Sequence, residues 1–388
     1  MDGKTDKCIK VVQLSSVHPL FDTRIFYKIC NSLAEAGYSV DLIIQHSKNE
    51  MVNGINVVCL PLAKRKLDRL FKVIPLLFQK AIKYPPGTIF HFHDPELIPI
   101  GLLLKLFGYS VIYDVHEDNK NLVLDRDWIP KPFRSILSYS VCKLEKIAVE
   151  YLDAVVTVTR YIRKSLGGNK EYIIQNYPLI SESNFSGIDL TENKNQRFKQ
   201  NLLYVGGITS VRGINEIVTS LEIVNTNSDN KVKLLLAGLI NEKKLESNLQ
   251  TKKGWEFVDY RGWINREEFA HWASSSFAGL VIFHPLANHI NAQPNKLFEY
   301  MMHGIPVIAS NFKLWKEIVI DNNCGILVDP ESPQEIAEAI SWFRNHPDEA
   351  KKMGENGRNA ILSKYNWKSE EEKLLRLYRS LNKCEVNN

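Results

Sequence analysis

The sequence lacks the patterns that mark secreted, membrane-spanning and zinc-clustered proteins. Its six cysteines are scattered without a CxxC pair, which favours free thiols in a reducing compartment over disulfides or a zinc knuckle. No uncharged apolar run reaches the roughly 18 residues that a transmembrane helix needs, and the polar start, Met1 to Lys7, is unlike a secretory signal. We therefore expect a cytoplasmic protein.

The sequence also has little excess charge. Its 388 residues include 49 Lys and Arg against 44 Asp and Glu, a net charge of +5, without an arginine-rich tail. This balance argues against nucleic acid as a partner. Hydrophobic residues make up 44% of the chain, which is enough for two or three domains with complete cores.

Apolar runs alternate with helical stretches in two successive series. Strands rich in Val, Ile and Leu and separated by helices indicate parallel sheets covered on both faces. The polar stretch Pro178 to Gln200 separates the two series and is typical of a linker, so we predict domains at 1–178 and 179–367. The predicted strands are Ile9 to Leu14, Val40 to Gln45, Ile55 to Leu60, Thr88 to Phe92, Val111 to Val115, Ala154 to Val158 and Tyr172 to Ile174, then Leu202 to Val205, Val232 to Ala237, Phe257 to Tyr260, Leu280 to Phe283, Val307 to Ala309 and Ile326 to Val328.

The segment Gln293 to Ser310 predicts a short helix that leads into a buried strand. Pro294 and Asn295 suit the start of the helix, and Gly304 suits its end. Lys296 at the helix N-terminus favours an anion such as phosphate, and Glu299 lies one turn further on the same face, where it can accept hydrogen bonds from sugar hydroxyls. The alternative is a capped core helix whose Lys and Glu face water.

This segment resembles the donor-site motif of the retaining GT-B glycosyltransferases of the group 1, or family 4, class. The family motif has two glutamates separated by seven residues; Glu299 matches the second, and Asn291 stands in place of the first. The resemblance implies two Rossmann-like domains that face a central cleft, the first binding acceptor and the second binding the nucleotide-sugar. It also implies that the last helix, within 368–388, crosses back to the first domain.

Further donor-site residues are implied by the same resemblance. Gly207 stands where the family has an arginine and Arg212 where it has a lysine, so one of two phosphate cations is missing, and Lys296 and Arg24 are expected to carry more of the charge. The full predicted donor set is Gly206, Gly207, Arg212, Trp263, Ile264, Asn291, Asn295, Lys296, Leu297 and Glu299, with Trp263 or Ile264 beside the base and Asn291 beside the sugar.

Polar residues follow three strands of the first domain and are the predicted acceptor or cleft residues. His18, Asp22 and Arg24 follow the first strand, where Arg24 can offer a planar fork to a phosphate or an acceptor carboxylate; the alternative is a helix cap and a salt bridge. His93 and Asp94 follow the fourth strand. For His116, after the fifth strand, the resemblance implies a catalytic position facing the donor sugar, with Glu299 as its catalytic partner; the alternative is a helix cap.

Two motifs raise the question of a metal. His91 and His93 alternate onto one strand face with Asp94 next to them, as in metal hydrolases, but no second ligand cluster accompanies them. Asp125-Arg126-Asp127 spells an acidic pair that other glycosyltransferases use for a cation, in a context that indicates a chance match. We expect no metal and no cofactor.

The segment Lys64 to Lys83 is basic, with seven cationic residues and one Asp, and apolar residues recur in it at helical spacing. Such a segment can rest on an anionic membrane. The alternative, which we favour, is an apolar stripe packed on the sheet with solvated lysines.

The sequence therefore predicts a metal-independent retaining glycosyltransferase that takes a UDP-sugar, or alternatively a GDP-sugar. The resemblance places it in cell-surface polysaccharide assembly, such as O-antigen, lipopolysaccharide or capsule, with a lipid-linked glycan acceptor. The basic segment Lys64 to Lys83 could add peripheral contact with the inner face of the membrane. The alternatives are a nucleotide-sugar 2-epimerase of the same fold, a non-catalytic binding module and a hydrolase built on His91 and His93.

Overall fold

A computed structural model describes residues 9–124, 129–168, 171–180, 200–226, 228–240 and 242–382. The chain divides into two compact units, Met1–Asn176 with Trp367–Asn388 (unit 1) and Tyr177–Asn366 (unit 2). The Asp125 to Asp127 motif and nearly all of the predicted linker lie outside the described residues. No helix in the described part of the chain has the length and apolarity required to span a membrane.

Unit 1 is built on an eight-stranded sheet in the order β3-β4-β2-β1-β5-β6-β7-β8. The pairs are parallel except for β3 with β4, an antiparallel hairpin turned by Asn53 and Gly54, both at positive φ. The short edge strand β3 of this hairpin was not among the strands predicted from the sequence. The strands are β1 (Lys10–Leu14), β2 (Ser39–Gln45), β3 (Glu50–Val52), β4 (Ile55–Leu60), β5 (Ile89–Phe92), β6 (Ser110–Val115), β7 (Ala154–Thr157) and β8 (Glu171–Ile173).

Helices cover both faces of this sheet, because its central strands are buried on both sides. They are α1 (Asn31–Glu35), α2 (Lys66–Asp68), α3 (Ile74–Ala81), α4 (Ile98–Leu106), α5 (Asn119–Leu124), α6 (Lys131–Tyr151) and α7 (Arg160–Leu166), with π-helical segments Thr23–Cys30 and Arg69–Val73 and the 3-10 turn Pro95–Leu97.

Unit 2 is built on a parallel six-stranded sheet in the order β11-β10-β9-β12-β13-β14. Its strands are β9 (Asn201–Val205), β10 (Lys233–Ala237), β11 (Val258–Tyr260), β12 (Ser276–Val281), β13 (Val307–Ser310) and β14 (Gly325–Val328). Its helices are α8 (Ile214–Asn225), α9 (Leu245–Gln250), α10 (Arg266–Ser275), α11 (Ala287–Ile290), α12 (Asn295–Met302), α13 (Lys313–Val319), α14 (Pro333–Asn345) and α15 (Pro347–Ser363), with 3-10 turns Ser210–Arg212 and Lys253–Phe257.

The last helix, α16 (Trp367–Leu381), belongs to unit 1. Tyr378 is fully buried, and its hydroxyl lies 2.8 Å from Gln13 Nε2 and 2.8 Å from His91 Nδ1. Trp367 Nε1 donates to Ser32 Oγ at 2.9 Å. The C-terminal helix therefore completes the core of the first sheet, while the binding roles predicted for the two domains remain predictions.

Candidate functional site

Glycines line the carboxyl edge of the unit 2 sheet. The N–H of Gly206, after β9, donates to Ala237 O at 2.9 Å, and the N–H of Gly238, after β10, donates to Gly262 O at 2.6 Å. Gly238 has φ 143°, and a Cβ there would lie 1.8 Å from Gly206 O. The backbones thus pack where a side chain at residue 238 cannot fit, and they do so at the carboxyl edge, which is where parallel α/β sheets bind ligands.

Lys296 lies beside this glycine edge. Helix α12 begins at Asn295 as predicted, and its first turn buries Lys296 to 7% exposure. Its Nζ lies 3.6 Å from the centre of the Tyr204 ring and has no hydrogen-bond partner among the described residues. Burial, together with the charge of Arg212, holds the pKa of Lys296 well below its usual value. A cation placed in this way favours an anionic ligand.

Arg212 supplies a second cation at the same place. The 3-10 turn Ser210–Arg212 carries it, and its Nη1 donates to Gly207 O at 3.2 Å. The Phe283 ring contacts both cations, with its centre 5.4 Å from Arg212 Cζ and 5.3 Å from Lys296 Nζ. A Cβ at residue 207 would lie 2.7 Å from Arg212 Nη1, so the glycine makes room for the guanidinium.

The other predicted residues of α12 differ in exposure. Glu299 is half-buried and Asn295 exposed. Leu297 is fully buried in the core, and its N–H donates to Pro294 O, so its side chain packs the helix and does not face a ligand. This corrects its assignment to the donor set. Asn291 ends helix α11, and its amide donates to Ala287 O at 3.4 Å.

Trp263 and Ile264, predicted beside a base, line an open depression of about 640 Å³ with His271 and Trp272 of α10. The Trp263 side chain is 74% exposed, so it can move to stack on a flat ring. A capping box between Asn265 and Glu268 fixes the start of α10 directly after this loop. The role in base binding stays a prediction.

In unit 1, Asp94 and His18 meet at the carboxyl ends of β5 and β1. Asp94 accepts hydrogen bonds from the N–H of Ser16 and from the Ser15 hydroxyl, and its Oδ1 lies 3.4 Å from His18 Nε2. Burial lowers the pKa of His18, but the hydrogen bond to Asp22 and the charge of Asp94 outweigh it and raise that pKa above its ordinary value. Asp22 also caps the helix that follows through the N–H groups of residues 24 and 25.

Arg24 requires a correction. Its Nε and Nη2 each donate to Asp114 at 2.7 Å, and both residues are buried. The planar fork expected to meet a phosphate is therefore occupied by an internal carboxylate, as the salt-bridge alternative had it. The same Asp114 accepts from His93 Nδ1 at 3.0 Å, while His93 Nε2 lies 2.9 Å from Gln13 Oε1. His93 is thus a buried network residue.

His91, His93 and Asp114 form the one group in the described part of the chain whose ligand atoms could surround a metal ion. Their contacts do not fit a cation, because the Arg24 guanidinium already occupies both oxygens of Asp114. Burial, then the neighbouring His93 ring, holds the pKa of His91 well below its usual range. The cluster is a buried hydrogen-bond network, which removes the basis for the hydrolase alternative.

His116 follows β6 and lies close to His18, with ring centres 5.1 Å apart in an edge-to-face arrangement. Its Nδ1 is 3.9 Å from Asp114 Oδ2 and has no hydrogen-bond partner within the described ranges. Burial lowers the pKa of His116, and Arg24 lowers it further against the opposing charge of Asp114. A neutral imidazole at a strand end can exchange hydrogen bonds with a hydroxyl.

Sequence reasoning missed several of these residues. Asp114 was not singled out, although a carboxylate inside the apolar strand Ser110–Val115 signals a buried ion pair. The Lys296 ammonium contacts the rings of Tyr204 and Phe283, but in the sequence these two residues resemble ordinary strand residues. Gly238 is a glycine at a strand end, which is a signal that could have predicted the close approach of the backbone there.

Two parallel-sheet α/β units of this kind define the GT-B class of glycosyltransferase folds. A solved structure of the Anabaena protein HepE in complex with UDP-glucose superimposes with a TM-score of 0.69, covering 96% of this chain and 100% of that one at 13% identity. At that identity the likeness shows the fold alone.

The chain belongs to the family 4, group 1 glycosyltransferases. Residues 23–171 match the family model Glycosyltransferase Family 4, and residues 189–360 match the model Glycosyl transferases group 1. An uncharacterized glycosyltransferase of Methanocaldococcus jannaschii is 24% identical over 64% of this chain, and the capsular polysaccharide biosynthesis glycosyltransferase CapM of Staphylococcus aureus is 23% identical over 61%. The matched parts span 64% of the length of each relative.

Proposed function

We propose that this protein transfers a sugar from a nucleoside-diphosphate-sugar to a hydroxyl of a glycan acceptor, with retention of the anomeric configuration. The observation that carries the proposal is the buried ammonium of Lys296 next to Arg212 at the glycine edge of unit 2. A buried cation beside a second, partly exposed cation is stabilised by an anion, and a diphosphate supplies adjacent negative charges.

The transfer forms a bond between the acceptor oxygen and the anomeric carbon, and it breaks the bond from that carbon to the β-phosphate oxygen. The acceptor proton passes to the departing diphosphate. Lys296 and Arg212 stabilise the charge that develops on the departing oxygen, a role that a divalent cation has in other transferases, so we expect a metal-independent reaction. Since no protein nucleophile is assigned, attack from the face of departure accounts for retention.

The donor we favour is a UDP-sugar, with a GDP-sugar as the alternative. The bound UDP-glucose in the HepE structure supports uridine, because that protein shares the fold over nearly the whole chain. In this proposal Glu299 accepts hydrogen bonds from the ribose hydroxyls, and Trp263 or Ile264 flanks the base.

The acceptor we propose is a lipid-linked glycan in cell-surface polysaccharide assembly, such as capsule or O-antigen synthesis. The relative CapM of Staphylococcus aureus, a capsular polysaccharide biosynthesis glycosyltransferase, supports this setting. His116 is the group we assign to the reacting hydroxyls, because burial favours its neutral form.

The test has two stages. A thermal-shift screen of the purified protein against UDP-, GDP-, ADP- and dTDP-sugars identifies the donor, since a ligand of the native state raises its melting temperature. The responding donor is then incubated with polyisoprenyl-diphosphate glycans, with and without EDTA, and the new linkage is read by NMR.

We expect an acceptor-dependent product with the donor's anomeric configuration and no loss of rate in EDTA. Release of an epimerised donor without acceptor would instead identify an epimerase. Binding without turnover on any acceptor would identify a non-catalytic module. A product of inverted configuration would overturn retention, and loss of activity in EDTA would overturn the metal-independent step.

A further inference from the structure

The surface of unit 1 is unusually apolar compared with that of unit 2. Among the described residues, 29 large hydrophobic side chains are exposed, and 22 of them lie in unit 1 against 7 in unit 2. The two units are of similar size, so the difference is not a general property of the chain. Exposed apolar side chains indicate a binding surface where they are contiguous.

The largest contribution comes from helix α6. Its buried side carries Ser138, Glu145, Ala148 and Val149. A separate stripe of large apolar residues recurs at intervals of three and four along another side, and all of its members are exposed: Phe133 (60%), Ile136 (63%), Leu137 (42%), Leu144 (37%), Ile147 (39%) and Tyr151 (58%). The helix therefore has one side buried in unit 1 and a separate apolar side in solvent.

Neighbouring helices extend this stripe. Helices α3, α4 and α6 bury Leu77, Leu104 and Ala148 in one core cluster, so they cover the same face of the sheet. Helix α4 packs on α6, and the Phe78 and Phe107 rings join α3 to the end of α4 with centres 6.3 Å apart. The outward sides add further exposed apolar residues: Leu67 (64%), Phe71 (75%), Leu103 (40%), Leu106 (83%) and Phe107 (66%).

We call the outward sides of residues 67–83, α4 and α6 the helix surface. Its first part belongs to the basic segment 64–83, for which the sequence left two interpretations, a stripe packed on the sheet and a segment that faces a membrane. Different residues of the segment agree with each of them. Ile74 and Leu77 pack in the core, as the favoured alternative had it, while Leu67 and Phe71 are exposed, as a membrane-facing segment requires.

The charge of the helix surface indicates what kind of partner binds to it. Residues 64–83 contain seven cationic residues and one acidic residue, Asp68. Two of the cations are paired, Lys72 with Asp68 and Arg69 with Glu96 of the following strand end, and the segment keeps an excess of positive charge. Exposed Lys131, Lys143 and Lys146 accompany the stripe on α6. A surface with both large apolar side chains and an excess of lysine complements the headgroups and acyl boundary of an anionic bilayer.

We propose that the helix surface binds the face of an anionic lipid bilayer without crossing it. The apolar side chains of α4 and α6 enter the acyl boundary, and the lysines contact lipid phosphates. This inference deepens the proposed function, because a lipid-linked acceptor lies at a bilayer, but its test needs neither donor nor acceptor.

The test is flotation of the whole protein with vesicles of phosphatidylglycerol and phosphatidylcholine, compared with vesicles of phosphatidylcholine alone. We expect binding to the anionic vesicles that weakens with added salt. The triple variant Phe133→Ser, Ile136→Ser, Leu137→Ser should bind on the order of a hundredfold more weakly, because three apolar contacts are lost. Replacing Lys72, Lys80 and Lys83 by Ser should weaken binding to the anionic vesicles roughly fivefold for each lysine.

A matched control replaces Leu239, Ile320 and Leu362 by Ser, three unit 2 residues that are 58%, 46% and 47% exposed. It should bind vesicles like the wild type. Equal binding by the α6 variant, or no binding by the wild type, overturns the proposal. A wild-type dimer in sedimentation that the α6 variant converts to a monomer assigns the surface to a second copy and also overturns it. The donor thermal shift, measured on the same variants, stays unchanged and separates this outcome from failure of the proposed function.

Discussion

Replacing Lys296 with Met should make the free protein more stable while it weakens donor binding. Methionine keeps the approximate length and volume of the side chain but removes the amine, whose charged form is disfavoured by burial and by the charge of Arg212. Replacing a buried ion pair by apolar residues of similar volume is often neutral or stabilising by about 1 to 4 kcal/mol, and a buried amine without a hydrogen-bond partner should gain at least as much from such a change. The ring contacts to Tyr204 and Phe283 are retained by a thioether.

The loss in donor affinity can be estimated from the hydrogen bond that Lys296 would make to the diphosphate. A hydrogen bond to a charged group contributes about 1.5 to 3 kcal/mol, which corresponds to roughly 10- to 150-fold in affinity. At a donor concentration of about 100 times the wild-type Kd, the ligand stabilises the native state by about 2.7 kcal/mol. A Kd weakened roughly 30-fold leaves about 0.9 kcal/mol of that stabilisation.

The assay is urea unfolding of the free protein together with donor titration by calorimetry. Lys316→Met, at an exposed position of unit 2, is the matched control and should change neither quantity. Lys296→Arg keeps the cation and should bind donor more tightly than the Met variant.

The same residue predicts a dependence on pH. The pKa of Lys296 is lowered in the free protein, so the folded state binds fewer protons than the unfolded state between that lowered pKa and the ordinary lysine value. The stability of the free protein therefore rises with pH through this window. A bound diphosphate raises the pKa again, so donor affinity should fall with rising pH over the same window, and Lys296→Arg should abolish that fall.

The opposite pattern would refute the reasoning. If Lys296→Met destabilises the free protein by several kcal/mol and leaves donor affinity unchanged, the lysine is a structural residue and no diphosphate is bound there.

Three further outcomes follow from the geometry. Asp114→Asn should destabilise unit 1 by about 3 to 5 kcal/mol in urea unfolding, because Arg24 loses its buried partner. The pair Arg24→Met with Asp114→Leu should recover part of that loss, although His93 also loses its contact with Asp114, and no recovery would refute the unpaired Arg24 charge as the main cause. His116→Ala should lower the rate of transfer about a hundredfold without changing the donor thermal shift, and wild-type activity should persist below the usual histidine pKa of about 6.5, since burial lowers the pKa of His116. Gly238→Ala, whose Cβ would lie 1.8 Å from Gly206 O, should lower both the melting temperature and donor binding, and a normal donor titration would show that the glycine edge does not shape the site.

The sequence predicted most strands to within a residue or two, because buried parallel strands are continuous apolar runs. The clearest error is β12, predicted at Leu280 to Phe283 and found at Ser276–Val281. The four residues of β12 that the prediction missed, 276–279, are mostly small and include Gly279, where a Cβ would lie 2.4 Å from the Tyr300 ring. Close packing against the Tyr300 ring requires glycine at position 279, although glycine has a low β propensity. The sequence pattern therefore did not indicate a strand there.

The candidate site was predictable where one segment contains the chemistry. The start of α12, with Lys296 and its buried first turn, follows from local helix signals. The role of Arg24 was not predictable in this way, because its partner Asp114 is 90 residues away and only the pairing of strands brings the two together. Long-range ion pairs of this kind need the fold before they can be assigned.

The expected shortage of phosphate-binding charge in unit 2 is resolved by the geometry around residue 207. The family arginine is absent there, yet the space that a side chain at Gly207 would need lies 2.7 Å from Arg212 Nη1. Arg212 reaches back over the Phe283 ring into that space and hydrogen-bonds Gly207 O. Arg24 is paired with Asp114 within unit 1, so the positive charge at the glycine edge comes from Arg212 and Lys296 together. Glycine at position 207, in place of the family arginine, leaves the space that Arg212 needs to lie beside Lys296.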